Sequence, residues 1–215
     1  MNRFHVKHSI KEITVNKNIL REARELYQKN EPLLESYLDE LLDWNQKINL
    51  VSRSVSRETV REHVVHSLIP VVLGLMGDIE EWIDSGTGGG LPGIPLSIVL
   101  NEKTFWLNDN VKKKVMAVSG IVDALGLENV KTLPKSISLV GLKTGTGIVT
   151  KHAFKIGDLL RLTKKKPWKK IIMWKGIEGA KEEIKRIHSN IECTLYSFNF
   201  GEEFYEGKGL VVLEK

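Results

Sequence analysis

Five glycines fall within eight residues in Gly86-Thr-Gly-Gly-Gly-Leu-Pro-Gly93, and an acid, Asp84, stands two positions ahead of the first. Glycine accepts positive φ and lets a backbone come close to a ligand. A helix that starts where such a loop ends offers unpaired N–H groups and the positive end of its dipole. The pattern suits a loop that cradles a small polar molecule; a tight turn that binds nothing is the plain alternative. The neighbouring residues separate the ligands. A phosphate-binding P-loop needs Lys-Ser or Lys-Thr after its last glycine, whereas Ile94-Pro95 follows here. A dinucleotide site places an acid after the second strand to hold a ribose, and Asn108-Asp109 stands there. The order acid-Ser-Gly-Thr-Gly leans toward S-adenosylmethionine. Asp84 then either meets the sulfonium or amine of that ligand or only caps the loop. Asp109 either takes ribose hydroxyls or N-caps a helix at Val111.

The elements that must hold this loop follow from periodicity. Leu33, Leu34, Tyr37, Leu38, Leu41, Leu42 and Ile48 recur at helical spacing, with Pro32 suited to the first turn. Ser56 opens a second helix running to about Leu75. Residues 1–30 are polar and basic, with weak helical periodicity after Asn18, so residues 1–77 read as an N-terminal helical extension. From residue 78 the pattern alternates. Strands are expected at 80–84, 104–107, 130–133, 147–150 and 170–174, with helices at 94–100, 111–125, 156–162 and 178–188. Closing strands at 193–200 and 210–213 have no convincing helix between them. This is an open α/β fold with a mostly parallel seven-stranded sheet and a C-terminal antiparallel hairpin, its 78–215 domain and the extension forming one compact unit.

The chain has 215 residues, 41% of them hydrophobic, and a net charge of +5, which excludes a disordered chain and permits an anionic partner. Its apolar runs are too short to span a bilayer. Cys193 is the single cysteine, so neither an internal disulfide nor a cysteine zinc site is expected. The residues after Met1 lack the apolar stretch of a secretory signal; a cytoplasmic protein is expected. His63 and His66 share a helix face without a third metal ligand in view, so no metal is expected. Residues 164–170, Lys-Lys-Lys-Pro-Trp-Lys-Lys, either grip nucleic-acid phosphates through Lys164, Lys165 and Lys166 with Trp168 stacked on a base, or form a solvated loop. Arg53, Arg57 and the lysines at 112–114 are further candidates for RNA contact. Trp44, Trp82, Trp106 and Trp174 read as core.

The stretch Asp84-Ser-Gly-Thr-Gly-Gly-Gly-Leu-Pro-Gly-Ile-Pro-Leu-Ser-Ile98 closely resembles the first motif of the glucose-inhibited division protein B family, the small-subunit rRNA guanine-N7 methyltransferases. Leu42-Asp-Trp-Asn-Gln-Lys-Ile-Asn-Leu50 is similar to the family's Trp-Asn…Asn-Leu signature. His63, Gly126-Leu-Glu-Asn129, His152-Ala-Phe154 and Lys175-Gly176 also fall in register, so the resemblance covers roughly residues 33–215. The chain departs from the pattern in five places. His66 stands where His-x-x-Asp-Ser has its acid, and Asn108 where the second strand ends in an acid. Ser136-Ile-Ser-Leu139 replaces an Arg-x-Glu-Glu-like segment, Gly147 replaces an Asp, and His152 replaces the arginine of Ser-Arg-Ala.

The resemblance implies a Rossmann-like, class I S-adenosylmethionine-dependent methyltransferase that modifies guanine N7 in 16S rRNA or the small ribosomal subunit. It implies cofactor contacts at Asp84, Gly86, Thr87, Gly88, Gly90, Leu91, Asn108, Asp109, Ile137, Ser138 and His152. RNA contacts are expected at Arg53, Lys112, Lys164, Lys165, Lys166, Trp168 and Lys175. No general base is obligatory, because N7 carries its lone pair in the neutral base; His152 and Lys151 are expected only to lie beside the substrate, Lys151 standing in for the missing arginine. A monomer is favoured. The alternatives are a homologue that binds rRNA or ribosomal subunits without methylating, and an RNA methyltransferase with another target.

Overall fold

A computed structural model describes residues 10–187 and 191–215. Five parallel strands form the centre: β2 (Glu81–Ser85), β3 (Thr104–Asn108), β4 (Val130–Leu133), β5 (Gly147–Lys151) and β6 (Lys170–Gly176). Flanking them are β1 (Ile10–Asn16), β7 (Glu192–Asn199) and β8 (Lys208–Glu214). The order across the sheet is β1-β7-β8-β6-β5-β2-β3-β4. β8 pairs antiparallel with both β6 and β7 and alone opposes the other strands. The expected closing hairpin is this β7–β8 pair.

Strands covered on both faces are apolar throughout rather than alternating. β5 is buried at all five positions and β6 at its first five. On one face Trp82, Phe105, Leu107, Val149, Ile172 and Trp174 join a core with α1 (Lys17–Lys29), α2 (Glu31–Lys47), α3 (Arg57–Val72), α4 (Gly93–Val99) and α5 (Lys112–Ala124). On the other, Ile83, Ile148, Ile171 and Met173 pack under α6 (Ile156–Thr163) and α7 (Ile177–Ile184). Gly147 sits where a Cβ would come within 2.3 Å of the Trp82 ring. The indole fills the space that a larger residue opening β5 would need. Trp82 and Trp174 are core as expected, whereas Trp44 and Trp106 are only half-buried.

Two sequence expectations change. Residues 10–16 form a strand that pairs in parallel with β7, Ile10 opposite Cys193 and Asn16 opposite Asn199, so the sheet has eight strands. Ile13 and Val15 supply the apolar side of this edge strand, while Lys11 and Glu12 keep its rim charged. The helix expected over 178–188 ends at Ile184, and His188 lies outside the described residues.

A polar network ties the first three helices together and to the C-terminal connector. Glu35 accepts from Tyr27 Oη, from Arg57 Nη2 at 2.6 Å and from Arg61 Nε at 2.7 Å. Arg24 bridges Glu62 and Glu202, and Tyr205 Oη donates to Glu62 at 2.9 Å.

Candidate active site

The first crossover, β2–loop–α4, lies at the carboxyl ends of the parallel strands, where open α/β sheets bind their ligands. β2 delivers Asp84 there, fully buried. Its Oδ2 accepts from Thr87 Oγ1 at 2.6 Å and from Gly93 N at 2.9 Å. Its Oδ1 is buried with no hydrogen-bond partner. Burial raises the carboxyl to about 7, against the opposing pull of Thr87 and Gly93. Both readings of Asp84 are therefore open to it at once: one oxygen caps the loop and the other is spare.

Glycine is required at the two ends of this loop. Gly86 has φ +74°, and a Cβ there would lie 2.4 Å from Ala153 Cβ. At Gly93 a Cβ would meet Leu107 Cδ2 at 2.3 Å and Asp84 Oδ2 at 2.8 Å. Backbone N–H groups of Gly86 and Thr87 both donate to Asn108 O. Asp109 Oδ2 accepts from Gly88 N at 3.2 Å and its Oδ1 from Val111 N at 2.9 Å, so it braces the loop and the turn ahead of α5, whose N-cap is Val111 with no side-chain cap bond, rather than capping the helix itself. The Asn108 amide donates to the carbonyls of Leu133 and Lys135, and its Oδ1 faces Ser85 Oγ at 3.4 Å. Its side chain is thus spent on holding β3 to the segment after β4. Ile137 is buried in the second core, leaving its backbone and the exposed Ser138 as the available groups.

A wall that the sequence reading did not include closes the pocket. Asn45 Oδ1 accepts from Leu50 N at 2.8 Å and Val51 N at 3.0 Å, folding the segment after α2 back over the glycine loop. Leu50, Val55, Val60 and His63 then face Gly86, Thr87 and Leu91 across a cavity of about 470 Å³. The Trp-Asn…Asn-Leu string carried the signal, since its first Asn makes the turn. From α2, Tyr37 Oη donates to Gly89 O at 2.9 Å within the core, and a Cβ on Gly89 would collide with Leu41 at 2.6 Å.

Lys151, His152 and Lys114 line the same cavity. Lys151 Nζ donates to His63 O at 2.7 Å and Ser67 Oγ at 3.3 Å, turned toward α3. Burial and then Lys151 push His63 down to about 3, and desolvation with the same lysine pushes His152 down to about 4. Both imidazoles are neutral at neutral pH. His152 adopts φ +59°, a left-handed conformation that side chains disfavour. Its strain turns the chain sharply after β5 and brings Ala153 against Gly86.

The basic residues do not gather at one place. Arg53 and Lys112 are exposed and form no ion pair among the described residues, and Lys112 stands two positions from the pocket-lining Lys114. Arg57, by contrast, is held by Glu35 and Asp39. The 164–170 cluster leads into the start of β6, at the amino ends of the parallel strands, the end of the sheet opposite the glycine loop. Lys170, the last lysine of the cluster, lies four positions before Trp174, the partner of the pocket-lining Lys151, which at about 3.3 Å per residue is about 13 Å along the strand. Lys164 and Lys165 are exposed there. Three expectations need correcting. Trp168 is 3% exposed and donates to Thr163 O, with Lys215 Nζ over its ring, so its faces are closed to a base. Lys166 donates to the Val140 carbonyl. Lys175 is held by Phe154 O and, at 2.7 Å, by Glu183, so it is a bracket between β6 and α7.

No group of three or more His, Cys, Asp or Glu residues able to hold a metal occurs among the described residues. No helix among them is long and apolar enough to cross a membrane. The sheet order with one antiparallel strand, and the glycine loop closing on one oxygen of Asp84 while the other is spare, define a class I S-adenosylmethionine-dependent methyltransferase. The fold is similar to that of a Bacillus cereus O-methyltransferase solved in complex with SAH, with a TM-score of 0.60 and 16% identity over 84% of this chain and 91% of that one. Residues 30–201 match the family model GidB, rRNA small subunit methyltransferase G. The Ribosomal RNA small subunit methyltransferase G of Bacteroides thetaiotaomicron is 32% identical over 90% of this chain and 97% of its own length. That of Chlorobium limicola is 32% identical over 91% and 93%. The chain belongs to the rRNA small subunit methyltransferase G family.

Proposed function

We propose that this protein methylates N7 of a guanine in 16S rRNA, free or within the small ribosomal subunit, using S-adenosylmethionine. The observation that carries this is the preformed glycine loop around the spare, fully buried Oδ1 of Asp84. A buried carboxylate oxygen without a donor is costly unless a ligand supplies one, and the amine of the cofactor's amino-acid end is such a donor. The loop backbone from Gly86 to Gly90 and the Leu91 side chain would lie along the cofactor, with Asp109, the Ile137 backbone and Ser138 on its adenosine side. When bound, S-adenosylmethionine supplies an electrophilic methyl on a sulfonium.

The chain's own part is to hold and orient. The neutral guanine already offers its N7 lone pair, so no proton has to leave before attack, and the unprotonated His63 and His152 are compatible with that. Fixing the base in line with the transferred methyl lowers the barrier by orientation. Arg53, Lys112 and the neighbouring lysines would meet phosphates at the rim. The protein would act as a monomer, and rRNA as substrate supports a cytoplasmic setting. The extension and the 78–215 domain would act as one unit, since Tyr37 holds Gly89 and Lys151 holds His63 across the boundary.

The test is transfer of labelled methyl from S-adenosylmethionine to small subunits lacking the modification, with the product base identified. N7-methylguanine supports the reading; no incorporation by folded protein into subunits or extracted rRNA rejects it. One observation favours a second reading, an rRNA-binding homologue that does not methylate: the Asn108 amide is committed to two carbonyls, leaving less to hold a ribose. Titration with S-adenosylhomocysteine separates the two.

A further inference from the structure

The pocket contains a buried basic group that the described residues leave without an ion-pair partner. Lys151 is 8% exposed and its contacts are neutral: the His63 carbonyl and the Ser67 hydroxyl. It forms no ion pair among the described residues. The groups facing it are His63 and His66 from α3, His152 just after its own strand and Lys208 from β8, with Asp84 on β2 the acid that acts on it among the described residues. His66 adds no counter-charge, since both of its ring nitrogens are buried without partners among aromatic rings. An unpaired ammonium in such a place is disfavoured, and burial holds Lys151 well below the ordinary lysine value.

Asp84 has the complementary want, a buried oxygen without a donor. The two residues sit on adjacent parallel strands: Asp84 is paired with Val149, and Lys151 is two positions beyond Val149. That is about 7 Å along the strand direction, at the same edge of the sheet. An amino acid carries its ammonium and carboxylate on one carbon, so an acid and an amine spaced in this way match it.

We propose that Lys151 takes the carboxylate of the cofactor's amino-acid end while Asp84 Oδ1 takes the ammonium, and that Lys151 acquires a proton as the carboxylate arrives. The inference rests on the S-adenosylmethionine reading above. A phosphate of the RNA chain is the other anion on offer, but Lys151 is 8% exposed and stands beside the strand end that carries Asp84, whose spare oxygen calls for an ammonium that a phosphate lacks. Binding is then linked to proton uptake, because burial weakens the hold of the free amine on its proton and an arriving carboxylate strengthens it.

The experiment is calorimetric titration of the whole protein at pH 8 with three ligands. These are S-adenosylhomocysteine, its decarboxylated analogue and 5′-methylthioadenosine, each in two buffers of different ionisation enthalpy. Wild type should bind S-adenosylhomocysteine about tenfold or more tightly than the decarboxylated analogue, with uptake of protons only for the former. Lys151→Gln should abolish both the preference and the uptake while leaving 5′-methylthioadenosine affinity unchanged, which also shows that the variant is folded. Equal affinity of wild type for the first two ligands, or binding without proton uptake, overturns the proposal whatever the variant does. Equal losses on all three ligands in a folded variant overturn it too. Failure of folded wild type to bind any of the three rejects instead the cofactor reading beneath it.

Discussion

Tyr37→Phe removes one oxygen atom from a fully buried ring and nothing else. That oxygen donates to Gly89 O at 2.9 Å, in the middle of the glycine loop and 52 residues away in sequence. Phenylalanine fills the same volume, so the transfer and cavity contributions stay close to zero. What remains is a buried carbonyl without its donor, which costs about 1–3 kcal/mol. In a chain of this size about 2 kcal/mol corresponds to a melting-temperature drop of about 4–8 °C. The loss also falls on one loop rather than being spread over the core. Gly88 and Gly89 both line the cavity, so affinity for S-adenosylhomocysteine should fall along with stability, by about tenfold if 1.4 kcal/mol of the loss is recovered only in the unbound loop. Differential scanning calorimetry and ligand titration on the same preparation measure the two effects. A melting temperature within about 1 °C of wild type, together with unchanged affinity, would refute the claim that α2 holds the loop.

Other perturbations follow from the same geometry. Asp84 has a folded-state value raised from 3.8 to about 7, so between those values the folded chain binds more protons than the unfolded one. Its contribution is therefore favourable at low pH and is lost as pH rises toward 7. Asp84→Asn should flatten that part of the stability–pH curve, seen in denaturant melts from pH 4 to 8, while weakening S-adenosylhomocysteine binding. Gly147→Ala should destabilise by about 1–3 kcal/mol by overpacking against Trp82, and a midpoint unchanged in urea would contradict this. Arg53→Glu with Lys112→Glu should raise KM for the rRNA substrate severalfold. Lys164→Glu with Lys165→Glu should raise it less, because those lysines stand at the far end of the sheet; the reverse order in methyl-transfer assays would displace the RNA path from the pocket rim.

The glycine loop was legible because its residues are contiguous and each has a local reason to be there. The strand–helix alternation was legible for a similar cause: buried parallel strands such as Lys170–Gly176 are short apolar runs set between helical periods. β1 was not. Its partner lies near the other end of the chain, and Lys11 and Glu12 make the segment look solvated when read alone. The lysine run misled for the opposite reason. Five charges adjacent in sequence read as one patch, yet Lys169 and Lys170 are answered by Asp78, Lys170 also by Glu214, and Trp168 turns inward. The wall from Leu50 to His63 was visible only as a motif; what Asn45 does with its amide oxygen is a matter of three-dimensional closure. Asn108 could be placed at the right strand end, but only the fold shows that its amide is spent on Leu133 and Lys135.

The pairing of β1 with β7 has a consequence for how the chain is made. Ile10 leaves the ribosome 183 positions ahead of its partner Cys193. At translation speeds of about 5–20 residues per second, β1 waits roughly ten to forty seconds for the strand it will lie beside. The helices behind it have the glycine loop to dock on much sooner, since Gly89 follows Tyr37 by only 52 residues. Assembly during synthesis would therefore begin around the ligand site and finish at the sheet edge, so that the nascent pocket takes shape before the molecule has its last seam.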